Sequence, residues 1–264
     1  MVAPGRYMSR HHRDHRAVWA MARGGLLLLC AICTMTAGML AWQDGETEAA
    51  YQDLSLSTVG DGTRIHPEND RENVAVDWDA LIQQNPDTVG WLEVDGTPID
   101  YPVVQPSDQV PSDYYLTHDF WNRSSEMGCP YLDTRCDPSG RHRLIFGHHL
   151  GLTDHMFSTL FQTWKQAEFD RIGSAIWEAA DGSETTFRPL CALKVDMSFE
   201  TIQRFSFDED DELRSWLLEL VGDSSAQADG ATAQVEEATS AMTLVTCSST
   251  IANQRERTLL VFTA

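Results

Sequence analysis

From Gly24 to Trp42 the chain reads GGLLLLCAICTMTAGMLAW, without one charged residue. Such a run approaches the length a helix needs to cross a bilayer. Arg6, Arg10, Arg13, Arg16 and Arg23 precede it against a single acid, Asp14, and Asp44, Glu46 and Glu48 follow it. The positive-inside bias then predicts a cytoplasmic N-terminus over 1–23, a single-pass anchor over 24–42 in the cell membrane, and an extracytoplasmic remainder. The rival reading is a signal peptide cut at the small residues near Ala37 and Ala41. The run is long for a signal h-region, which favours an uncleaved anchor. Both readings export the main body.

The exported part is strongly acidic. Forty acids against 19 bases give the whole chain a formal charge of −21, and phosphate binding needs a basic face, so a nucleic-acid partner is excluded. The plain meaning of such acidity is a soluble, self-repelling surface; a mild attraction for cationic or amine-bearing partners is the other. A hydrophobic share of 42% with eight tryptophans supplies a core. Cys30 and Cys33 lie inside the apolar run, where they read as packing residues. Cys129, Cys136, Cys191 and Cys247 are not at metal-ligand spacing. If one of the four is a nucleophile the other three cannot all pair, and a Cys129–Cys136 disulfide is the one pairing considered.

Residues 43–73 are polar and acidic with few apolar anchors, and read as a stalk. The folded domain is expected over 74–264. A short helix follows Asp77 as N-cap, with Trp78, Leu81 and Ile82 on one face, and Asn85-Pro86 ends it. Short strands are then expected at 90–94, 99–104, 128–133, 143–146, 186–194, 242–246 and 258–262. Helices are expected near 156–164 and over 208–221. In the second, acids crowd the first turn and Leu213, Trp216, Leu217 and Leu220 make an apolar stripe. Residues 222–240, rich in Ala, Ser, Gly and acids, read as a mobile loop. Many short strands with few helices predict a mainly β fold, a closed or nearly closed β-barrel with helical insertions.

The last two strands carry the chemistry. Ala241–Cys247 (AMTLVTC) ends in a cysteine, a polar loop follows, and Arg257 opens the β-prone run TLLVF. Pairing of these runs returns Arg257 to the barrel end that bears Cys247. A thiolate is a strong nucleophile that needs a base or cation to form near neutral pH. A fixed guanidinium can stabilise that thiolate or the oxyanion of a tetrahedral intermediate. The third party is histidine: the strand RLIF breaks at Gly147 and presents His148 and His149. Each piece alone has a plainer reading, as a buried small hydrophobe, surface imidazoles and a rim charge. His118, in YYLTHDF, reads as structural, closing a turn with Asp119.

The run TLVTC at 243–247, with an arginine opening the next strand, resembles the sequence that sortases carry around their nucleophile. The segments NPDTVGWLEVDGTPIDYPVVQ, DYYLTHDFW, PYLD, LIFGHHL and MFSTLF resemble class B sortases in the same order, as does a helix before the last strand pair. The resemblance implies a sortase-type barrel and a cysteine transpeptidase. It makes Cys247 the nucleophile, His148 the proton-transfer residue because it directly follows the glycine, and Arg257 the oxyanion and substrate-positioning cation in preference to Arg255. Thr246 reads either as helping to position substrate or as a plain strand residue. Some members carry an Asp two residues after the nucleophile; Ser249 stands there, so that triad is not available. The implied reaction cleaves a C-terminal sorting motif of exported proteins through a thioacyl-enzyme and transfers the acyl group to an amine of a peptidoglycan precursor or a pilin. No metal or organic cofactor is implied. A secreted cysteine protease, with water as acceptor, and a catalytically degenerate anchored binding domain are the alternatives.

Overall fold

The computed structural model describes residues 11–58, 76–151, 153–247 and 255–264, in two compact units, Met1–Glu46 and Thr47–Ala264. The first unit contains most of helix α1 (His11–Thr58). Its stretch Trp19–Thr36 is long and apolar enough to cross a membrane, a test that a signal sequence also passes. Leu26, Leu27, Leu28, Leu29 and Ile32 are all exposed.

The second unit begins with the end of the same helix, where the polar stalk was expected. Thr47, Tyr51 and Leu54 fall at i, i+4 and i+7 and are buried, so one face of these two turns packs in the core although most of the other positions are polar. The remainder of the expected stalk, and the expected domain start at Val74, lie outside the described residues.

Nine strands follow among the described residues: β1 (Thr88–Val94), β2 (Asp100–Val104), β3 (Tyr131–Leu132), β4 (His142–Phe146), β5 (Ala175–Ala179), β6 (Glu184–Asp196), β7 (Ala226–Gln227), β8 (Ala241–Cys247) and β9 (Glu256–Thr263). They hydrogen-bond in the order β5-β1-β2-β3-β4-β8-β9-β6-β7, and β5 also pairs with β6. That last pairing closes eight strands into a barrel, with β7 appended to β6. The expected closed barrel is therefore the fold. The long strand β6 serves two neighbours: Glu184–Phe187 pair with β5 and Arg188–Asp196 with β9, with a bulge between Pro189 and Cys191. A proline tolerates this position because a bulge relieves it of donating to the ladder. Most pairs are antiparallel; β2–β3 and β4–β8 are parallel.

Helix α2 (Trp78–Gln84) has Asp77 as N-cap, accepting from Ala80 N at 3.0 Å. Leu81 is buried, but Ile82 is exposed and does not share its face. The helix expected near 156–164 is instead a 3-10 turn, Ser158–Leu160, followed by the single-turn α3 (Gln166–Phe169). Helix α4 (Asp210–Asp223) buries the four residues of the expected stripe. The expected loop 222–240 is structured: it contains β7 and α5 (Ala231–Glu237), which Gly230 enters at φ 75° and which buries Ala231 and Val235 one turn apart. Cys129, Cys136 and Cys191 are buried and free, so the 129–136 disulfide is not formed.

At the start of β4, His142 is wholly buried. One ring nitrogen donates to Arg204 O at 2.7 Å and the other accepts from Thr243 Oγ1 at 3.0 Å. Burial pushes its pKa down to about 4. The unfolded chain takes up this proton at about 6.5, the folded chain only near 4. Between those values the unfolded state holds more protons, so stability falls as pH falls. We expect this histidine to cost on the order of 3 kcal/mol by pH 4. Denaturant titrations between pH 4 and 7 should show a steeper loss in the parent protein than in His142→Gln; equal slopes would remove the effect from His142.

Candidate active site

The parallel pairing of β4 and β8 runs from His142↔Ala241 to Phe146↔Val245, and Gly147 N extends it by donating to Val245 O at 3.0 Å. The next residue, His148, therefore leaves the sheet at the barrel end where β8 finishes in Cys247. On the other side of β8, Cys247 stands directly opposite Arg257. Directly opposed residues of an antiparallel pair project on the same face. One barrel end thus receives the thiol, the imidazole-bearing strand end and the guanidinium, as the sequence predicts.

Thr246 behaves differently. Side chains alternate along a strand, so Thr246 takes the face opposite to Cys247, beside Thr258. It is buried, and its hydroxyl has no hydrogen-bond partner among the described residues. The structure does not bring it onto the thiol's face. Ser249 lies outside the described residues.

The imidazole of His148 is half-buried and oriented. Its Nε2 lies 2.5 Å from Leu116 O. A carbonyl only accepts, so Nε2 carries the proton in the neutral ring and Nδ1 is the nitrogen left to exchange one. Burial lowers the pKa of His148 below the ordinary histidine value, against the opposing pulls of the Leu116 carbonyl and the Glu126 charge. Two glycines make room for this geometry. Gly147 has the Phe157 ring where a Cβ would sit, at 2.5 Å. Gly128, at φ 65°, would place a Cβ 2.4 Å from Tyr115 O, 3.1 Å from Leu116 O and 3.2 Å from His148 Cδ2. A side chain at Gly147 would displace the Phe157 ring, and one at Gly128 the Tyr115 and Leu116 carbonyls.

The neighbouring histidines are otherwise engaged. His149 stacks on Phe161 with ring centroids 4.4 Å apart, and its Nε2 lies 3.2 Å from Gly151 O. His118 stacks on Tyr114 at 3.8 Å, its Nδ1 lies 3.0 Å from Tyr114 O, and it bridges to Ser124 across the turn that Asp119 organises. Arg257 Nη1 donates to Glu256 O at 3.0 Å, and its charge reaches Tyr131, which stacks on Phe146 at 5.3 Å. Arg255 is exposed and grips Asp196 with two donors, at 2.9 and 2.7 Å. Among the described residues no group of three or more His, Cys, Asp or Glu is placed to hold a metal ion.

The sequence reading missed Leu116 and Gly128. Leu116 acts through its carbonyl, which residue identity does not advertise. Gly128 could have been read only as one glycine among 17.

No protein-family model matches the chain. Sortase B of Staphylococcus aureus is 24% identical over 201 residues, covering 72% of this chain and 75% of the relative. Sortase B of Listeria monocytogenes is 37% identical over 72 residues, 26% of this chain and 28% of the relative. The solved Staphylococcus aureus sortase B–substrate complex superposes with a TM-score of 0.66 at 22% identity, over 84% of this chain and 97% of that one. In sequence this chain is similar to the sortase B of both organisms, and its barrel is the fold of the class B sortases.

Proposed function

We propose that this protein is a membrane-anchored, extracytoplasmic cysteine transpeptidase, with residues 24–42 as its anchor and the N-terminus in the cytoplasm. The observation that carries the reading is the register that sets Cys247 against Arg257 while β4 delivers His148 to the same barrel end. The thiol sulfur attacks a backbone carbonyl carbon in the sorting motif of an exported protein, and the thiol proton passes to Nδ1 of His148. Arg257 faces the negative charge that develops on the carbonyl oxygen. Collapse breaks the C–N bond, His148 returns the proton to the leaving amine, and a thioester remains. An acceptor amine, from a peptidoglycan precursor or a pilin lysine, attacks the thioester, gives its proton to His148 and releases Cys247. The solved complexes of sortase B with a substrate and with triglycine, a peptide bearing a free amine, support a peptide donor and an amine acceptor. Thr246, on the opposite face of β8, would affect substrate through the setting of Cys247 instead of by contact.

The nucleophile is tested by Cys247→Ala. This variant should fold as the parent by circular dichroism and form no amide product. Mass spectrometry of products with and without added amine separates transfer from hydrolysis, and hydrolysis alone under saturating amine would make the protein a protease.

His148→Ala should lose about 10²–10⁴-fold in turnover, and His149→Ala far less. Because burial lowers the pKa of His148, its neutral form persists below pH 6.5, the ordinary value. The acid limb of kcat/KM should accordingly have its midpoint below about 6.5. A limb centred above 7, or a more damaging His149→Ala, would assign the proton transfer elsewhere.

The guanidinium at 257 offers a planar fork of donors that an ammonium cannot reproduce. Arg257→Lys should lose at least about 10²-fold in turnover, the usual loss for one oxyanion donor. Arg255→Lys should turn over like the parent, since the exposed pair with Asp196 is a surface interaction. Kinetics of both variants on one peptide decide the matter; a fully active Arg257→Lys would move the oxyanion role to another group.

A further inference from the structure

The imidazole of His148 is held by two loops, 114–120 and 127–130, and both are tied to a residue remote in sequence. Tyr51, on the last turns of α1, donates its hydroxyl to Gly128 O at 2.9 Å and accepts from Phe120 N at 2.9 Å. This tyrosine is 1% exposed. Its ring packs on Tyr101 and Trp121 at 5.5 and 5.3 Å. Neighbouring turns of the helix are fixed as well: Ser55 Oγ donates to Asp100 at 2.5 Å, and Glu48 lies 3.1 Å from His155 Nδ1.

From Gly128 the chain of contacts to the imidazole is short. The glycine is close enough to the ring that a Cβ would stand 3.2 Å from His148 Cδ2. The next residue, Cys129, donates its N–H to Tyr115 O at 2.9 Å. That bond sets the turn Tyr114–Leu116, whose last carbonyl accepts from His148 Nε2. On the other loop, Phe120 is clamped at both backbone atoms: Tyr51 takes its N–H, and Asn85 Nδ2 donates to its carbonyl at 2.8 Å.

We propose that Tyr51 is a positioning residue for His148: its hydroxyl locks together the two loops that bury the ring and present the Leu116 carbonyl to it. The assignment rests on the reading of His148 as the proton-transfer residue, but its physical content is the environment of the ring. Without the hydroxyl, Gly128 O and Phe120 N lose a shared partner inside the protein, where unpaired backbone groups seek water or new partners. The loops separate, water reaches the imidazole, and the burial that depresses its pKa weakens. The groups around this path are the Glu126 charge near His148, and Cys129 and Asp119 near Tyr51. All of them remain in Tyr51→Phe.

The test is an NMR titration of the His148 Cε1–H in the full chain in detergent micelles, assigned with His148→Ala. Three proteins are compared: the parent, Tyr51→Phe and Leu54→Ala. Leu54→Ala loosens the same buried helix face but keeps the hydroxyl. The His148 midpoint should rise toward the ordinary histidine value in Tyr51→Phe. Leu54→Ala should keep the parent midpoint while its thermal stability falls. In parallel, the rate of Cys247 alkylation by iodoacetamide, read on the Cys247 peptide by mass spectrometry, should acquire the shifted pH dependence only in Tyr51→Phe. An unchanged midpoint in Tyr51→Phe, or an equal shift in Leu54→Ala, overturns the assignment. So does a Tyr51→Phe chain that no longer folds, because the hydroxyl would then hold the whole loop and not the ring. Absence of transpeptidation in the parent would refute the proposed activity and leave the titration result standing.

Discussion

The parallel pairing of β4 with β8 is the contact on which the rest depends. It is a short ladder, yet it carries a buried histidine at one end and delivers a second at the other. The two rings are both driven toward neutrality by burial, and their hydrogen bonds separate their uses. Both nitrogens of His142 are occupied, by Arg204 O and by Thr243 Oγ1 from the partner strand. That ring stitches the two strands together and has nothing left for proton exchange. His148 has its Nε2 committed to Leu116 O, with no hydrogen bond to Nδ1 among the described residues. A shared push toward neutrality with unequal saturation distinguishes a structural imidazole from one suited to chemistry.

Burial also sorts the cysteines of the second unit. Burial raises the thiols of Cys129, Cys136 and Cys191, to about 11 for Cys136 and about 12 for Cys191. Each is a small core residue in a place that disfavours the thiolate. Cys247 is the half-buried member, at a strand terminus with a guanidinium across the ladder. Position at the rim, more than residue type, makes it the candidate nucleophile.

Much of this was legible in the chain. Seven strand positions and the α4 stripe followed from apolar spacing, and the relation of Cys247 to Arg257 followed from treating the last two runs as neighbours. The omissions have physical causes. Strand β5 reads AIWEA, and alanine and glutamate carry little β signal; its place is set by Trp177 and its pairing to β1 and β6. Helix α5 is two turns whose burial rests on Ala231 and Val235, too few apolar residues to stand out from a loop. The end of α1 hid Thr47, Tyr51 and Leu54 among acids and amides, so a spacing of four and three looked like polar linker. The frame of His148 was illegible because it is built from backbone carbonyls and from room left by glycines.

Parallel pairing between strands distant in sequence has a kinetic side. The ladder joining β4 to β8, and β9 between β8 and β6, closes only after the C-terminal strands have entered the sheet. Contacts of such long sequence separation form slowly, since the chain entropy must be lost before they are rewarded. Until β8 is inserted, Cys247 has neither Arg257 across from it nor the end of β4 beside it. Its thiol in an incomplete barrel therefore has the reactivity of a cysteine in open chain. Closure of the ring and assembly of the candidate site are one event, so a nascent or damaged molecule lacks the arrangement for the same reason that it is unfolded.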